Sequence, residues 1–306
     1  MATTTLSPRP TRSRTTPEND RRPRKPRNAI TYVFLGILVV YFIIPLWFLF
    51  VASTKDAPSL FGGDSALWFS GGFNLFTNLS NLVTYNDGIY LKWIGNSALY
   101  AFVGGLGATV LAVLAGYGFA KYSFRGRDLS FAVLLGSVMV PLTALVIPTF
   151  VLFSELGLTD TIWAVILPSL LSPFGVYLMR VYAAEAVPDE LLDAARMDGA
   201  GEFRTFVQVA LPLMRPAVVT VLLLSVVGTW NNYFLPLAML SNSQLYPITV
   251  GIGLWQGLAA QNNGGGGTSL WTLIIVGSLV SIIPLIIAFL SLQKYWQGGL
   301  AIGSLK

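Results

Sequence analysis

Five stretches of the chain, residues 28–54, 93–120, 129–154, 161–179 and 216–293, contain no Asp, Glu, Lys or Arg. A helix needs about 20 apolar residues to cross a bilayer, so each of the first four runs fits one span. The fifth is divided by a polar, glycine-rich stretch, SNSQ at 241–244 and NNGGGG at 262–267, which leaves two more. Six spans are therefore expected, at about 29–52, 94–119, 129–153, 161–180, 216–240 and 269–292. Composition agrees: 54% of the residues are hydrophobic and only 11% charged, well below the quarter usual for soluble domains. Hydrocarbon offers no partner to backbone N–H and C=O groups, so a chain of this pattern is expected to be all-α.

The same composition excludes chemistry. Cysteine and histidine are both absent, so no thiolate metal site and no imidazole ligand or base is available, and no metal is expected. Eight of the nineteen Lys and Arg fall in the first 27 residues. Residues 1–28 lack an apolar pattern and are expected to be a disordered basic tail, an anchor beside the membrane rather than a nucleic-acid arm. The run from Ala29 to Ala52 exceeds the 7–15 residues of a secretory signal core, and no A-x-A pattern follows, so it is expected to stay as the first span.

The positive-inside rule orients the spans. With the N-terminus inside, the cytoplasmic segments beyond the tail carry Lys121, Arg125, Arg127, Arg180, Arg196, Arg204, Arg215, Lys294 and Lys306, against Lys55 and Lys92 outside. Both termini, including a tail at 294–306, are expected in the cytoplasm. The segment between the first two spans is expected to pack as a cap on the outer mouth.

Within the membrane, the second span has a small residue every fourth position: Gly104, Ala108, Ala112, Gly116 and Ala120. These lie on one face and let another backbone approach, the mark of a packed bundle. Pro141, Pro148, Pro168 and Pro173 are expected to bend the third and fourth spans. The fifth holds GTWNNYFLP at 228–236. Asn231 and Asn232 either hydrogen-bond between helices or line a polar solute's pathway, with Trp230 and Tyr233 as surfaces on which a sugar ring could stack. No Asp, Glu, Lys or Arg lies inside a span, Arg180 standing at the cytoplasmic end of the fourth, which counts against the alternative of an ion-coupled secondary carrier. A membrane enzyme would need a catalytic constellation near the bilayer, and none is present.

One short stretch gathers the charge that the spans lack. Residues 189–204, DELLDAARMDGAGEFR, hold seven of the 33 charged residues. The pattern predicts two short helices joined at Gly199 within a loop at 182–215. Asp189 is expected to cap the first, Leu191, Leu192 and Ala195 to form an apolar patch, and Glu190, Asp193 and Arg196 to stay polar. The second is expected from about Glu202 to Leu211, burying Phe203, Phe206, Val207, Ala210 and Leu211, with Pro212 and Pro216 marking the entry to the fifth span. Helices that lie on a bilayer favour Lys and Arg. This hairpin is mostly acidic, so it suits docking to a soluble protein better.

The residues DAARMDGAGEFRTFVQVALPLMRP, 193–216, resemble the cytoplasmic-loop signature of ABC importer permeases, E-A-A-x-x-x-G. Asp193-Ala194-Ala195, Asp198-Gly199-Ala200, Phe206, Leu211-Pro212 and Pro216 stand at the family's positions, with Asp193 where Glu is usual. WNNYFLPL and QKYWQGGLAIGSLK are similar to the family's fifth span and C-terminal tail, in its maltose-permease-like, carbohydrate-uptake subgroup. The resemblance implies a bacterial or archaeal cell-membrane protein that forms a sugar pathway with a second, homologous permease. It implies a coupling hairpin between spans four and five that docks in a cleft of a cytoplasmic ATPase dimer, Glu190, Leu192 and Arg196 among its contacts, and an extracytoplasmic solute-binding protein as a further partner. No P-loop pattern occurs. ATP and Mg are thus expected on the partner ATPase, with no cofactor and no enzymatic activity on this chain.

Overall fold

The computed structural model describes residues 29–62, 66–261 and 269–302, with side chains through Tyr295. The basic tail and the NNGGGG divider lie outside the described residues. Every regular element among those described is helical: α1 (Ala29–Ser53), α2 (Ala57–Phe61), α3 (Leu75–Thr84), α4 (Ile89–Lys121), α5 (Arg127–Val138), α6 (Val146–Glu155), α7 (Trp163–Ser169), α8 (Pro173–Ala186), α9 (Asp189–Met197), α10 (Glu202–Thr205), α11 (Leu211–Trp230), α12 (Phe234–Met239), α13 (Ile248–Gln261) and α14 (Leu270–Ile302). Short 3-10 turns occupy Leu142–Leu145 and Ser243–Leu245, and a π turn occupies Phe206–Ala210.

Among the described residues, five helical stretches are long and apolar enough to cross a bilayer: Ala29–Ser53, Ile89–Lys121, Trp163–Ala186, Glu202–Trp230 and Leu270–Tyr295. The expected third span is not one of them. Arg127–Val138 and Leu142–Glu155 meet at 98°, and make a sixth span only if the bent pair counts as one. Pro141 has no amide hydrogen and disfavours helical geometry at Val140. The α5 helix therefore tightens at its end, with the Met139 N–H on the Gly136 carbonyl at 3.1 Å, before the chain turns.

The expected fifth span also departs from one regular helix, at both ends. α11 stops at Trp230 and α12 starts at Phe234, so Asn231 and Asn232 sit in a break rather than on a continuous helix. At the other end Pro212 and Pro216 do not stop the helix, and Glu202–Trp230 runs as one rod. The π turn allows this: the Leu211 N–H reaches the Phe206 carbonyl, five residues back. The widened turn relieves the press of the Pro212 ring on the preceding backbone.

Residues through Leu46 form one compact unit and Trp47 onward another. The described part of the first is the greater part of α1, apolar all round, as suits a helix surrounded by lipid. In the second, α4 packs against α8, α11 and α13. Its small-residue face makes this possible. Ala108 and Ala112 are buried, and a Cβ on Gly116 would lie 2.4 Å from the Met179 Cβ and 2.9 Å from the Val176 carbonyl oxygen. Gly105 approaches Val226 of α11 in the same way, while Ala120 is only partly buried.

The segment between the first two spans carries α3, which packs on α14 and α4. Its Asn78 is buried and donates to the carbonyls of Ser53 and Lys55 at 3.0 and 2.9 Å, fastening α3 to the end of α1. The stretch after α12 holds α13, which patterning had not shown. At about 21 Å it is too short to cross. Trp93 locks it in place: the indole is buried against Gly251 and donates to the Ser243 carbonyl at 2.8 Å.

Candidate functional site

The charged stretch folds as two arms that meet at Gly199, α9 as the first and, in place of a second short helix, the start of the continuous rod Glu202–Trp230. Val187 is fully buried where α8 ends, and Pro188 takes the extended N-cap position of α9. Asp189 is thus the first helical residue and not the cap. Its carboxylate instead meets the Lys121 ammonium at the end of α4, 2.7 Å away. At the other end of α9 the Gly199 N–H bonds the Arg196 carbonyl and the Ala200 N–H the Ala195 carbonyl, both at 3.0 Å. This paired closure needs a left-handed residue, and Gly199 has φ of 81°. Ala195 and Ala200 thus serve through their backbones, with Asp198 as C-cap.

The expected apolar patch divides. Leu192 is buried in the same apolar cluster as Tyr117, Phe206 and Met214, while Leu191 is exposed and Ala195 only partly covered. On the second arm Phe206 and Ala210 are buried as expected, but Phe203 is 79% exposed and Val207 also faces out. Val207 lies four residues from Phe203 and shares its outward face, while Phe206 and Ala210, also four apart, share the inner one. Pro212 is partly buried at the top of the arm. The outer surface is therefore Glu190, Leu191, Asp193, Ala194, Met197, Asp198 and Phe203, with Met197 85% exposed.

Beside this surface the exposed charges pair with one another. Arg196 donates through Nη1 to Asp193 at 2.9 Å and through Nε to Glu202 at 2.8 Å, joining α9 to α10. The Tyr122 hydroxyl donates to the second Glu202 oxygen at 2.6 Å. Glu202 precedes the charge-free part of its rod, which starts at 216. Its hydrogen bonds from Arg196 and Tyr122 hold its carboxyl below the ordinary glutamate value, and Arg196 is held more basic in return. The bond to Glu202, with burial second, pushes the Tyr122 phenol up to about 12. Residues Lys121, Tyr122 and Glu202 were not singled out from the sequence. Their partners lie 68 and 80 positions away for the two α4 contacts, beyond any local pattern.

The second candidate cluster separates its members. Trp230 is buried, 6% exposed, among Ile248, Trp255 and Leu273, so its indole is engaged in packing and does not offer a free face. Asn231 is exposed at the helix break. The Asn232 carbonyl accepts the Thr249 hydroxyl at 2.7 Å. Tyr233 lies over Gly253 with a partly exposed ring. The break thus brings the two asparagines and Tyr233 together beside α13, and leaves Trp230 behind them. No group of three or more metal-ligating side chains occurs among the described residues.

Comparison with known proteins bears on both clusters. Residues 108–297 match the family described as binding-protein-dependent transport system inner membrane component, a segment that contains both. The arabinooligosaccharides transport system permease protein AraQ of Bacillus subtilis (strain 168) is 36% identical over 285 residues, covering 92% of this chain and 96% of that protein. The lactose transport system permease protein LacG of Rhizobium radiobacter is 29% identical, over 92% of this chain and 98% of its own. The sn-glycerol-3-phosphate transport system permease protein UgpE of Escherichia coli (strain K12) is 28% identical over 88% and 94%. Among solved structures, a chain of a bacterial ABC transporter involved in the import of the acidic polysaccharide alginate superposes with a TM-score of 0.73. It is 24% identical, over 87% of this chain and 95% of that one.

Proposed function

Since the chain belongs to the binding-protein-dependent transport system inner membrane component family, we propose that it is the permease subunit of an ATP-driven ABC importer for a sugar or a related polyol or oligosaccharide. It is a multi-pass inner-membrane protein. The solute class is supported by the curated relatives, whose names specify arabinooligosaccharides, lactose and glycerol 3-phosphate. A second, homologous permease completes the pathway, an extracytoplasmic binding protein delivers the solute, and a cytoplasmic ATPase dimer holds ATP and Mg. The excess of Lys and Arg in the loops on the hairpin side supports cytoplasmic termini.

The observation that carries this reading is the division of the hairpin into two faces. Inside, Leu192, Phe206 and Ala210 are packed, and Asp189, Asp193, Arg196 and Glu202 each have a charged or hydroxyl partner. Outside, exposed Leu191, Met197 and Phe203 stand among acidic side chains, an apolar surface that a soluble partner would cover. ATP-driven closure of the ATPase would shift the hairpin, and with it the rod Glu202–Trp230 and the break at Asn231 and Asn232, which meets the solute.

The chain has no cysteine, so a single Met197→Cys reports cleanly, where Leu192 would not because it is buried. In the reconstituted transporter the introduced thiol is expected to crosslink to the ATPase in a nucleotide-dependent way, and the lone chain to accumulate no solute. Accumulation by the lone chain under an imposed proton gradient would overturn the proposal in favour of an ion-coupled carrier.

A further inference from the structure

We infer that Lys121 and Tyr122 are positioning residues for transport: they hold the hairpin in register on the end of α4, so that its sideways displacement reaches α4 as well as α8 and α11. This rests on the proposal that an ATPase drives the hairpin. The backbone joins the hairpin directly to α8, through Val187 and Pro188, and to α11, through the π turn. It makes no such join to α4, yet α4 is the helix against which α8 and α11 both pack. Motion must reach it through side chains.

Two kinds of contact are available. The apolar ones, Tyr117 on Phe206 with ring centroids 4.9 Å apart and Leu192 beside them, resist compression. They hold lateral register weakly, because dispersion and burial have little directionality. The polar ones are directional. Lys121 grips Asp189 at the start of α9 at 2.7 Å, and Tyr122 grips Glu202 at the start of α10 at 2.6 Å. Arg196 ties those two arms to each other through Glu202 at 2.8 Å. A single point of attachment would leave a pivot. Two points on consecutive residues, the last of α4 and its C-cap, one for each arm, fix both position and rotation. The Lys121 side chain is only 6% exposed, but its Asp189 partner is 76% exposed and leaves the pair open to solvent. Exposed ion pairs contribute little to stability, which leaves geometry as the use of this arrangement.

The test is the double variant Lys121→Gln with Tyr122→Phe in the complete reconstituted transporter; neither residue lies on the hairpin's outer surface. Binding-protein-stimulated ATP hydrolysis is expected to persist, while solute moved per ATP falls about fivefold, the low end of coupling between sites. Spin labels on Met197→Cys and Phe124→Cys of the lone chain are expected to show a broader distance distribution in the double variant. Restoring the charge with Lys121→Arg is expected to recover part of both readouts. If the double variant does not reach the membrane, Tyr122→Phe alone carries the test, since it removes one hydroxyl. An unaltered distance distribution would show that the contacts do not fix the register. A broadened distribution with unaltered solute per ATP would show that register is not what transmits motion. Failure of the functional proposal reads differently: the wild-type assembly would then show no ATP-coupled uptake, while the spin labels would still report the clasp.

Discussion

Two glycines of α4, two residues apart, are expected to respond in opposite directions to the same substitution. At Gly116 an added Cβ would stand 2.4 Å from the Met179 Cβ, 2.9 Å from the Arg180 nitrogen and 2.9 Å from the Val176 oxygen. The first distance is about 1 Å short of ordinary contact, and two of the three atoms are backbone, which cannot swing aside. To admit one methyl, α4 and α8 must separate along a contact that buries Ala112, Val113, Met179 and Ala183. Overpacking of a close-packed core costs about 1–3 kcal/mol, and the backbone contacts put Gly116→Ala at about the upper figure. At Gly118 an added Cβ meets nothing within 4 Å. There the helix gains about 0.5–1 kcal/mol, because alanine has less backbone freedom to lose. The assay is heat-induced change in tryptophan fluorescence of the purified chain in one detergent, with buried Trp93, Trp230 and Trp255 as reporters. The midpoints are expected to rank Gly118→Ala at or above wild type, and Gly116→Ala several degrees below. A Gly116→Ala chain as stable as wild type would refute the close α4–α8 approach.

Other perturbations address the hairpin. In Gly199→Val the added Cβ meets no atom within 4 Å, but the residue must adopt φ near 81°, at a cost of about 1–2 kcal/mol. Limited proteolysis is expected to cut the hairpin faster and uptake to fall, with Gly201→Ala, at φ of −69°, as the inert control. Acid should loosen the same element. The Glu202 carboxyl is held below its ordinary value of 4.5, so its contribution is present above that value and lost as pH falls through the lower folded one. Spin-label mobility at position 197 is expected to rise below pH 4.5, and in Glu202→Gln to be raised already at neutral pH, leaving little further change on acidification.

Much of the architecture was legible because lipid imposes a one-dimensional rule: runs without charge become spans. That rule is blind to direction within a run. Residues 129–154 are uniformly free of charge, yet fold as two helices at 98°. Proline alone does not mark such breaks, since Pro45, Pro168, Pro216 and Pro284 all sit inside helices. What separates Pro141 from Pro212 is the π turn that precedes Pro212, which no residue pattern marks. The α13 helix was hidden for a similar reason, an apolar stretch among others with no cap residue to announce it. In the hairpin, Gly199 was legible because a left-handed closure demands it locally. The roles of Lys121 and Tyr122 were not, since they depend on where the end of α4 arrives in space.

The π turn ahead of Pro212 sets an azimuth. An α-helix advances about 100° per residue, and the widened turn at Phe206–Ala210 accommodates one residue more than a regular helix would. The face that Glu202 and Phe203 present is therefore clocked, by that surplus residue, against the face that Ala217 and Val221 turn to the bundle. Loss of one residue between Phe206 and Ala210 would straighten the helix while swinging the hairpin about a quarter turn around it. The length of this five-residue segment is thereby constrained as tightly as the identity of any of its side chains.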